Sequence, residues 1–222
     1  MVAALDTPGS GSALAPLRQA IDNLGLISLQ RLVSGSVDSL ASLASELRKP
    51  TPAVDIASAA IAFNSQFAQA LKSSFMHILR NCLDHGIESP EERVRVSKPE
   101  QGVVRFACTR RDGRLELRIS DDGRGLALHK LYEKGVAAGI LTAAQRPSRE
   151  AVAELIFQSG LSTSARVTQV SGRGVGMEAV RTFLEEQGAS VRIALGAGDG
   201  ELGFTPFEFV IDVPPAACTH AA

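Results

Sequence analysis

Hydrophobic positions recur along this chain with two different periods, and the switches between them mark out its elements. From Ile27 to Arg48 the residues Leu29, Leu32, Val33, Val37, Leu40, Leu43, Ala44 and Leu47 fall at helical spacing, and Pro50 and Pro52 end the run. Ala53 to Phe63 is short and partly β-branched, which predicts a strand. Asn64 to Gly86 returns to the helical period. Phe75, Met76, Leu79, Cys82 and Leu83 share one side with Ile78 at its edge, and Gly86 is placed for a left-handed cap. Alternation then takes over: Val104, Phe106 and Cys108 before the Asp112-Gly113 turn, and Leu115, Leu117 and Ile119 after it, read as a hairpin. Ala127 to Gly139, Ala151 to Gln158 and Glu178 to Gln187 are helical, and Ala189 to Leu195 and Phe207 to Val213 are apolar strands. Outside these, residues 1–12 read as a flexible lead-in, 13–27 as a short helical extension and 215–222 as a tail.

Composition narrows the setting. A length of 222 residues with 45% hydrophobic residues is enough for a full core in one domain or two. The formal net charge of -1 provides no field for nucleic acid or for an anionic membrane, so neither is an expected partner. Cys82, Cys108 and Cys218 are odd in number and lack C-x-x-C spacing, which argues against a disulfide framework and against a zinc site. No apolar run approaches the ~18 residues of a membrane span, and the start lacks a signal-peptide pattern. The expectation is a soluble protein of the reducing cytoplasm.

The polar side of the helix from Asn64 to Gly86 carries His77, Arg80, Asn81, Asp84 and His85. Two imidazoles, an amide and a carboxylate stand where a solvated face would carry Lys and Glu, so the face looks built to hold a ligand. The second hairpin strand runs into Asp121-Asp122-Gly123-Arg124-Gly125. A carboxylate followed by glycines offers a charged acceptor beside open backbone, though an ordinary Asp-Gly turn has the same wording. Lys130 and Lys134 lie four apart on one helix face, which fits anion contact or plain solvation. Ser159 to Ser171, including Ser162 and Thr163, is small and hydroxylated, a candidate mobile lid. It ends in Gly172-Arg173-Gly174-Val175-Gly176-Met177, whose backbone N–H groups and following helix suit a polyphosphate; a ligand-free glycine hinge competes. The spacing G-x-G-x-G excludes the dinucleotide fingerprint, and no G-K-S/T follows.

Taken in order, HILRNCLDHGIESPEER (77–93), SDDGRGL (120–126), LIFQSGLSTS (155–164) and VSGRGVGMEAV (170–180) resemble the GHKL superfamily of ATP-binding domains, most closely the catalytic domain of CheA-type chemotaxis histidine kinases. The resemblance covers about residues 28–214. It implies an α/β fold, a two-layer sandwich of the GHKL (Bergerat) type. A mixed, mostly antiparallel sheet would be covered on one face by helices around 28–48, 64–86 and 177–187, with an ATP lid.

The resemblance also implies roles. Asn81 would be a side-chain ligand of Mg²⁺, His85 would reach phosphate oxygens, and His77 would assist catalysis. Asp121 would accept from the adenine amino group, with Gly123 and Gly125 admitting the ring; Lys130 and Lys134 would face the phosphates. Ser162, Thr163, Gly172, Arg173, Gly174, Val175, Gly176 and Met177 would surround the triphosphate, and Thr205 would sit in the base pocket. Satisfied helix histidines are the duller reading of His77 and His85, and His129 and His220 have no chemical argument behind them. The implied activity is transfer of the γ-phosphate of ATP to a histidine on a separate phosphotransfer domain or protein, and indirectly to a response regulator. No phosphoacceptor signature stands in this chain. A non-catalytic nucleotide-binding module, or another GHKL ATPase or serine kinase, are the alternatives. Leu161, Arg166 and Gln169 depart from the usual lid, and GFTPFEF departs from the usual closing strand, with Pro206 marking an edge or bulge.

Overall fold

The computed structural model describes residues 25–57, 61–111, 114–161, 176–197 and 203–220. The expected lead-in, most of the helical extension, the Asp112-Gly113 turn and most of the expected lid lie outside them.

A five-stranded sheet forms the base. Strands β2 (Ala53–Ala57), β4 (Val103–Arg111), β5 (Arg114–Asp121), β9 (Phe207–Val213) and β7 (Ser190–Leu195) stand in the order β2-β4-β5-β9-β7. The β2–β4 pair is parallel and the others are antiparallel. Alternation does what the hairpin pattern requires: Leu115, Leu117 and Ile119 are buried and pair with Val213, Ile211 and Phe209, also buried. Helices α1 (Leu29–Glu46), α2 (Ser65–Asn81) and α6 (Met177–Glu185) share one core with this face. Phe75 of α2 meets Phe106 of β4 edge to face at 5.2 Å. The expected two-layer architecture is present.

Five expectations need correction, the last of them at the end of α2. Ala53 to Phe63 is two strands in different sheets: β2 alternates in exposure, whereas β3 (Ile61–Phe63) is buried throughout. Ile27 is strand rather than helical extension, since β1 (Ile27–Ser28) pairs with β3. The expected tail instead makes a 3-10 turn at Pro215–Ala217 and strand β10 (Cys218–His220), which pairs with the other side of β3. Ile78 is fully enclosed while Met76 is half-buried, because α1 and α6 pack on α2 together with the sheet.

The end of α2 differs most. Asn64 caps its start, accepting from Phe67 N at 2.8 Å. At the other end the helix widens into a π turn, Cys82–Gly86, closed by Ile87 N to Cys82 O at 2.7 Å. Gly86 is not left-handed. A Cβ there would lie 2.8 Å from both carboxylate oxygens of Asp121, so close approach requires the glycine. Lys49 donates to the carbonyls of Leu83 and Ile87, satisfying groups the turn leaves over.

Beyond the turn, α3 (Pro90–Arg95) carries a capping box: Glu92 N donates to Ser89 Oγ, and Ser89 N to Glu92 Oε2. A two-stranded ribbon pairs β6 (Leu126–Ala127) with β8 (Phe204–Thr205), and Pro206 separates β8 from β9. Then come α4 (Leu128–Ala137) and α5 (Arg149–Ala153), which tightens into a 3-10 turn at Glu154–Phe157. That turn guards the free edge of β7. Glu154 Oε1 accepts from Ile193 N at 2.9 Å, while Arg181 of α6 pairs with Glu154 and donates to Val191 O at 3.4 Å.

Candidate functional site

Asp121 ends β5 where the strand meets the π turn of α2. Its Oδ1 accepts from Gly123 N at 2.9 Å, and the Cys82 thiol is hydrogen-bonded to it. Burial pushes the Asp121 carboxyl above its ordinary range; the Gly123 and Cys82 bonds oppose the shift, and the nearby Asp122 and Glu88 charges add to it. Burial likewise keeps the Cys82 thiol protonated. Gly123 sits against the π turn, where a Cβ would come 2.2 Å from Gly86 O. Gly125 has φ +85° and would place a Cβ 2.4 Å from Thr205 O. Thr205 is buried and accepts from Arg149 Nη2 at 3.0 Å. Asp121, Gly123, Gly125 and Thr205, spread over 85 positions of sequence, thus form one contiguous patch.

Asn81 occupies the last position of α2. Its Nδ2 donates to His77 O at 2.9 Å and to Met177 Sδ at 2.8 Å, while its carbonyl oxygen accepts no hydrogen bond among the described residues. A hard oxygen donor is therefore left available next to the first residue of α6. Gly176, the N-cap of α6, is extended at φ −84°, ψ −161°, leaving the helix N-terminus without a side-chain cap.

One turn before Asn81, His77 is half-buried with its ring 6.1 Å from that of Phe183. Burial chiefly, then Arg80, holds its pKa below the usual value. One turn after, the His85 pKa is also lowered, by burial first; Asp84 opposes, and the charges of Lys49, Lys134 and Arg124 reinforce. Lys134 is therefore close enough for its charge to act on His85. Lys130 is exposed, and no described contact draws it toward these groups. Lys134 also lines an open cleft of about 340 Å³ together with Ala137, Ala138, Gly160 and Leu161.

Ser162, Thr163, Gly172, Arg173, Gly174 and Val175 fall outside the described residues. Five others that pattern reading passed over surround the site: Lys49, Glu88, Arg93, Lys98 and Asp122. Arg93 is fully buried, with Nη1 on Glu88 Oε2 at 3.1 Å and Nη2 on Asp122 Oδ2 at 2.8 Å. The sequence signal was the S-P-E-E-R run, in which an arginine without solvent is not distinguishable from a solvated one.

A family described as histidine kinase-, DNA gyrase B-, and HSP90-like ATPase matches residues 70–215. The chain belongs to this family. The matched span of this ATPase-family domain starts inside α2 and ends past β9, so Asn81, Asp121 and Thr205 all lie within it. The chain is 31% identical to the chemotaxis protein CheA of Bacillus subtilis over 188 residues, 84% of this chain and 28% of that protein. It is 42% identical to CheA of Klebsiella aerogenes over 124 residues, 56% of this chain and 19% of that protein. The chain therefore spans under a third of the length of these relatives. Among solved structures, the mycobacterial sensor histidine kinase MprB superposes with a TM-score of 0.51 at 16% identity, covering 84% of this chain and 97% of that one. At that identity the likeness shows the fold, which is the GHKL-type histidine kinase fold.

Proposed function

We propose that this is the ATP-binding catalytic domain of a CheA-like two-component histidine kinase. It transfers the γ-phosphate of Mg-ATP to a histidine on a separate phosphotransfer domain or protein, which in turn serves a response regulator in the cytoplasm. One observation carries the reading: a buried carboxylate at Asp121, backed by glycine at positions 86 and 123, lies one π turn away from an amide oxygen at Asn81 that no described group uses. The first suits a base amino group; the second suits a hard cation on a phosphate chain.

Each residue then has a physical task. Ionised Asp121 accepts from the exocyclic amine of adenine while Gly123 N–H fixes one of its oxygens. Gly125 and Thr205 line the base pocket. We assign the triphosphate to the N-terminus of α6 at Gly176 and Met177 and to the preceding sequence Gly172, Arg173, Gly174 and Val175, with Ser162, Thr163, Lys134 and His85 as further candidate contacts. Among the described residues no three His, Cys, Asp or Glu side chains converge on one point. Asn81 would hold Mg²⁺ through its side-chain oxygen, a hard donor that no described group uses. When bound, Mg²⁺ supplies charge neutralisation on the transferring phosphate.

The acceptor imidazole attacks the γ-phosphorus in line as the bond to the bridging oxygen breaks, and ADP leaves. His77, half-buried one turn from Asn81 and held below its usual pKa chiefly by burial, is the residue assigned to assist the transfer. Positioning and charge account for the rate, with no covalent intermediate on this domain.

Calorimetric titration with ATP, with and without Mg²⁺, tests the site. Wild type should bind; Asp121→Asn should lose binding, and Asn81→Ala should bind without responding to Mg²⁺. Transfer of labelled γ-phosphate to an added phosphotransfer domain tests the reaction. Absence of binding at millimolar ATP would overturn the kinase reading and leave a nucleotide-independent interaction module.

A further inference from the structure

The two adjacent carboxylates of the Asp121-Asp122 pair have opposite fates. Asp121 makes no ion pair with any described residue; its carboxylate packs against Gly86 and is hydrogen-bonded to Gly123 N and the Cys82 thiol. Asp122 is consumed entirely by its surroundings: Oδ1 accepts from Val103 N at 2.9 Å, Oδ2 from Arg93 Nη2 at 2.8 Å, and its carbonyl from Arg93 Nη1 at 3.4 Å.

Arg93 itself has nothing left to offer a ligand. Its remaining contacts run from Nε to Pro99 O at 2.6 Å, from Nη1 to Glu88 Oε2 at 3.1 Å and from Nη2 to Gln101 O at 3.5 Å. With the two bonds to Asp122, these use five donor positions, the full complement of a guanidinium. Lys98 closes the assembly, donating to Glu88 Oε1 and to Gly123 O, both at 2.8 Å. Two cations and two carboxylates balance. They hold residues 122 and 123 from both side chain and backbone, and the Gly123 N–H so placed is the one that orients Asp121.

We propose that Glu88, Arg93, Lys98 and Asp122 form a mount that sets the direction of the Asp121 carboxylate, making Arg93 and Lys98 positioning residues for nucleotide-base selectivity. This assigns a task to the segment from Glu88 to Lys98, which contributes no group to the nucleotide in the reading above. The inference rests on Asp121 as the adenine acceptor. Because the mount touches the base-reading turn and not Asn81 or α6, disturbing it should change which base is preferred while leaving phosphate affinity in place.

The test compares ATP with inosine triphosphate, which carries an oxo group where adenosine has the amino group, by titration calorimetry on the full 222-residue chain. Losing a hydrogen bond to a charged acceptor makes the wild-type preference for ATP about tenfold or more. Arg93→Gln leaves buried carboxylates unpaired and is the variant at risk of misfolding. Lys98→Met, at a partly exposed side chain, keeps the stem and removes only the two donations. In Lys98→Met the preference should shrink at least about threefold, with inosine triphosphate affinity close to wild type and a cooperative thermal transition retained. Equal weakening of both nucleotides, or a preference that survives unchanged in a folded Lys98→Met protein, overturns the inference alone. A wild type that binds both nucleotides equally overturns the assignment of Asp121 to the base, and this inference with it.

Discussion

Gly123 and Gly125 sit in the motif expected to admit the adenine ring, yet the fold makes its own demand on both. Three alanine substitutions separate the causes. Gly139→Ala probes conformation alone: φ is +72° with open space around the missing Cβ, so the left-handed backbone should cost about 1–2 kcal/mol. Gly123→Ala probes sterics alone. Its φ is unexceptional, but the new Cβ would lie 2.2 Å from Gly86 O, 2.3 Å from Gly86 C and 2.6 Å from Asp121 Oδ1. Two of those atoms are backbone, which no rotamer change can clear, so overpacking of about 1–3 kcal/mol follows. Gly125→Ala combines φ +85° with a Cβ 2.4 Å from Thr205 O, for about 2–5 kcal/mol. At about 2–4 °C per kcal/mol for a chain of this size, the midpoint should fall by about 2–8 °C for Gly139→Ala and about 4–20 °C for Gly125→Ala. The assay is thermal unfolding by circular dichroism without nucleotide. A Gly123→Ala protein that melts with wild type but no longer binds ATP would refute the reasoning, since its glycine would then serve the ligand and not the packing of β5 on the π turn.

Three further outcomes follow from the site. Burial raises the Asp121 pKa, so the folded state holds a proton more tightly than the unfolded one; its stabilising share is complete below the ordinary value of 3.8 and is lost as pH rises through the raised native value. Urea unfolding across that window should show a shallower decline for Asp121→Asn than for wild type, and matching slopes would count against it. For His85, whose pKa is lowered chiefly by burial with help from Lys49, Lys134 and Arg124, a bound phosphate should restore basicity. ATP binding near neutral pH should then take up protons, seen as a buffer-dependent enthalpy, and His85→Gln should abolish the dependence. Glu154→Ala should expose the Ile193 N–H on the edge of β7 and cost about 1–3 kcal/mol in denaturant unfolding, together with a rise in light scattering that wild type lacks.

Elements that bury one face over many residues were legible from the sequence. The helical runs at 29–46 and 65–81, the alternation of β4 and β5 and the closing strands all show a period that only one-sided burial produces. Strands of two or three residues have no period to show, so β1 and β10 passed as helix and tail. An apolar stretch carries no mark for leaving one sheet and joining another, which is why β2 and β3 read as one. The cap of α3 was written in Ser89 and Glu92, though a six-residue helix is too short to announce itself by hydrophobicity. In the site, Asn81 stood out because its residue type conflicts with an ordinary helix face, whereas Asp121 and the glycines share their wording with ordinary turns and stood out only through the order of the four motifs. Arg93 did not: its burial is created by Asp122, 29 positions further on, and local pattern has no access to that partner.

Strand order also sets a schedule for folding. β9 lies between β5 and β7 in the sheet, yet it is the last of the five strands to occur in the chain. Until Phe207–Val213 is available, β5 and β7 each have an unpaired edge lined with apolar residues, and the core beneath them stays open. Such long-range closure slows folding and leaves sticky intermediates exposed. Chains cut anywhere before Phe207 should therefore gain little by carrying the rest of the domain, and a C-terminal truncation that reaches into Phe207–Val213 is a far riskier edit than its distance from Asn81 and Asp121 implies.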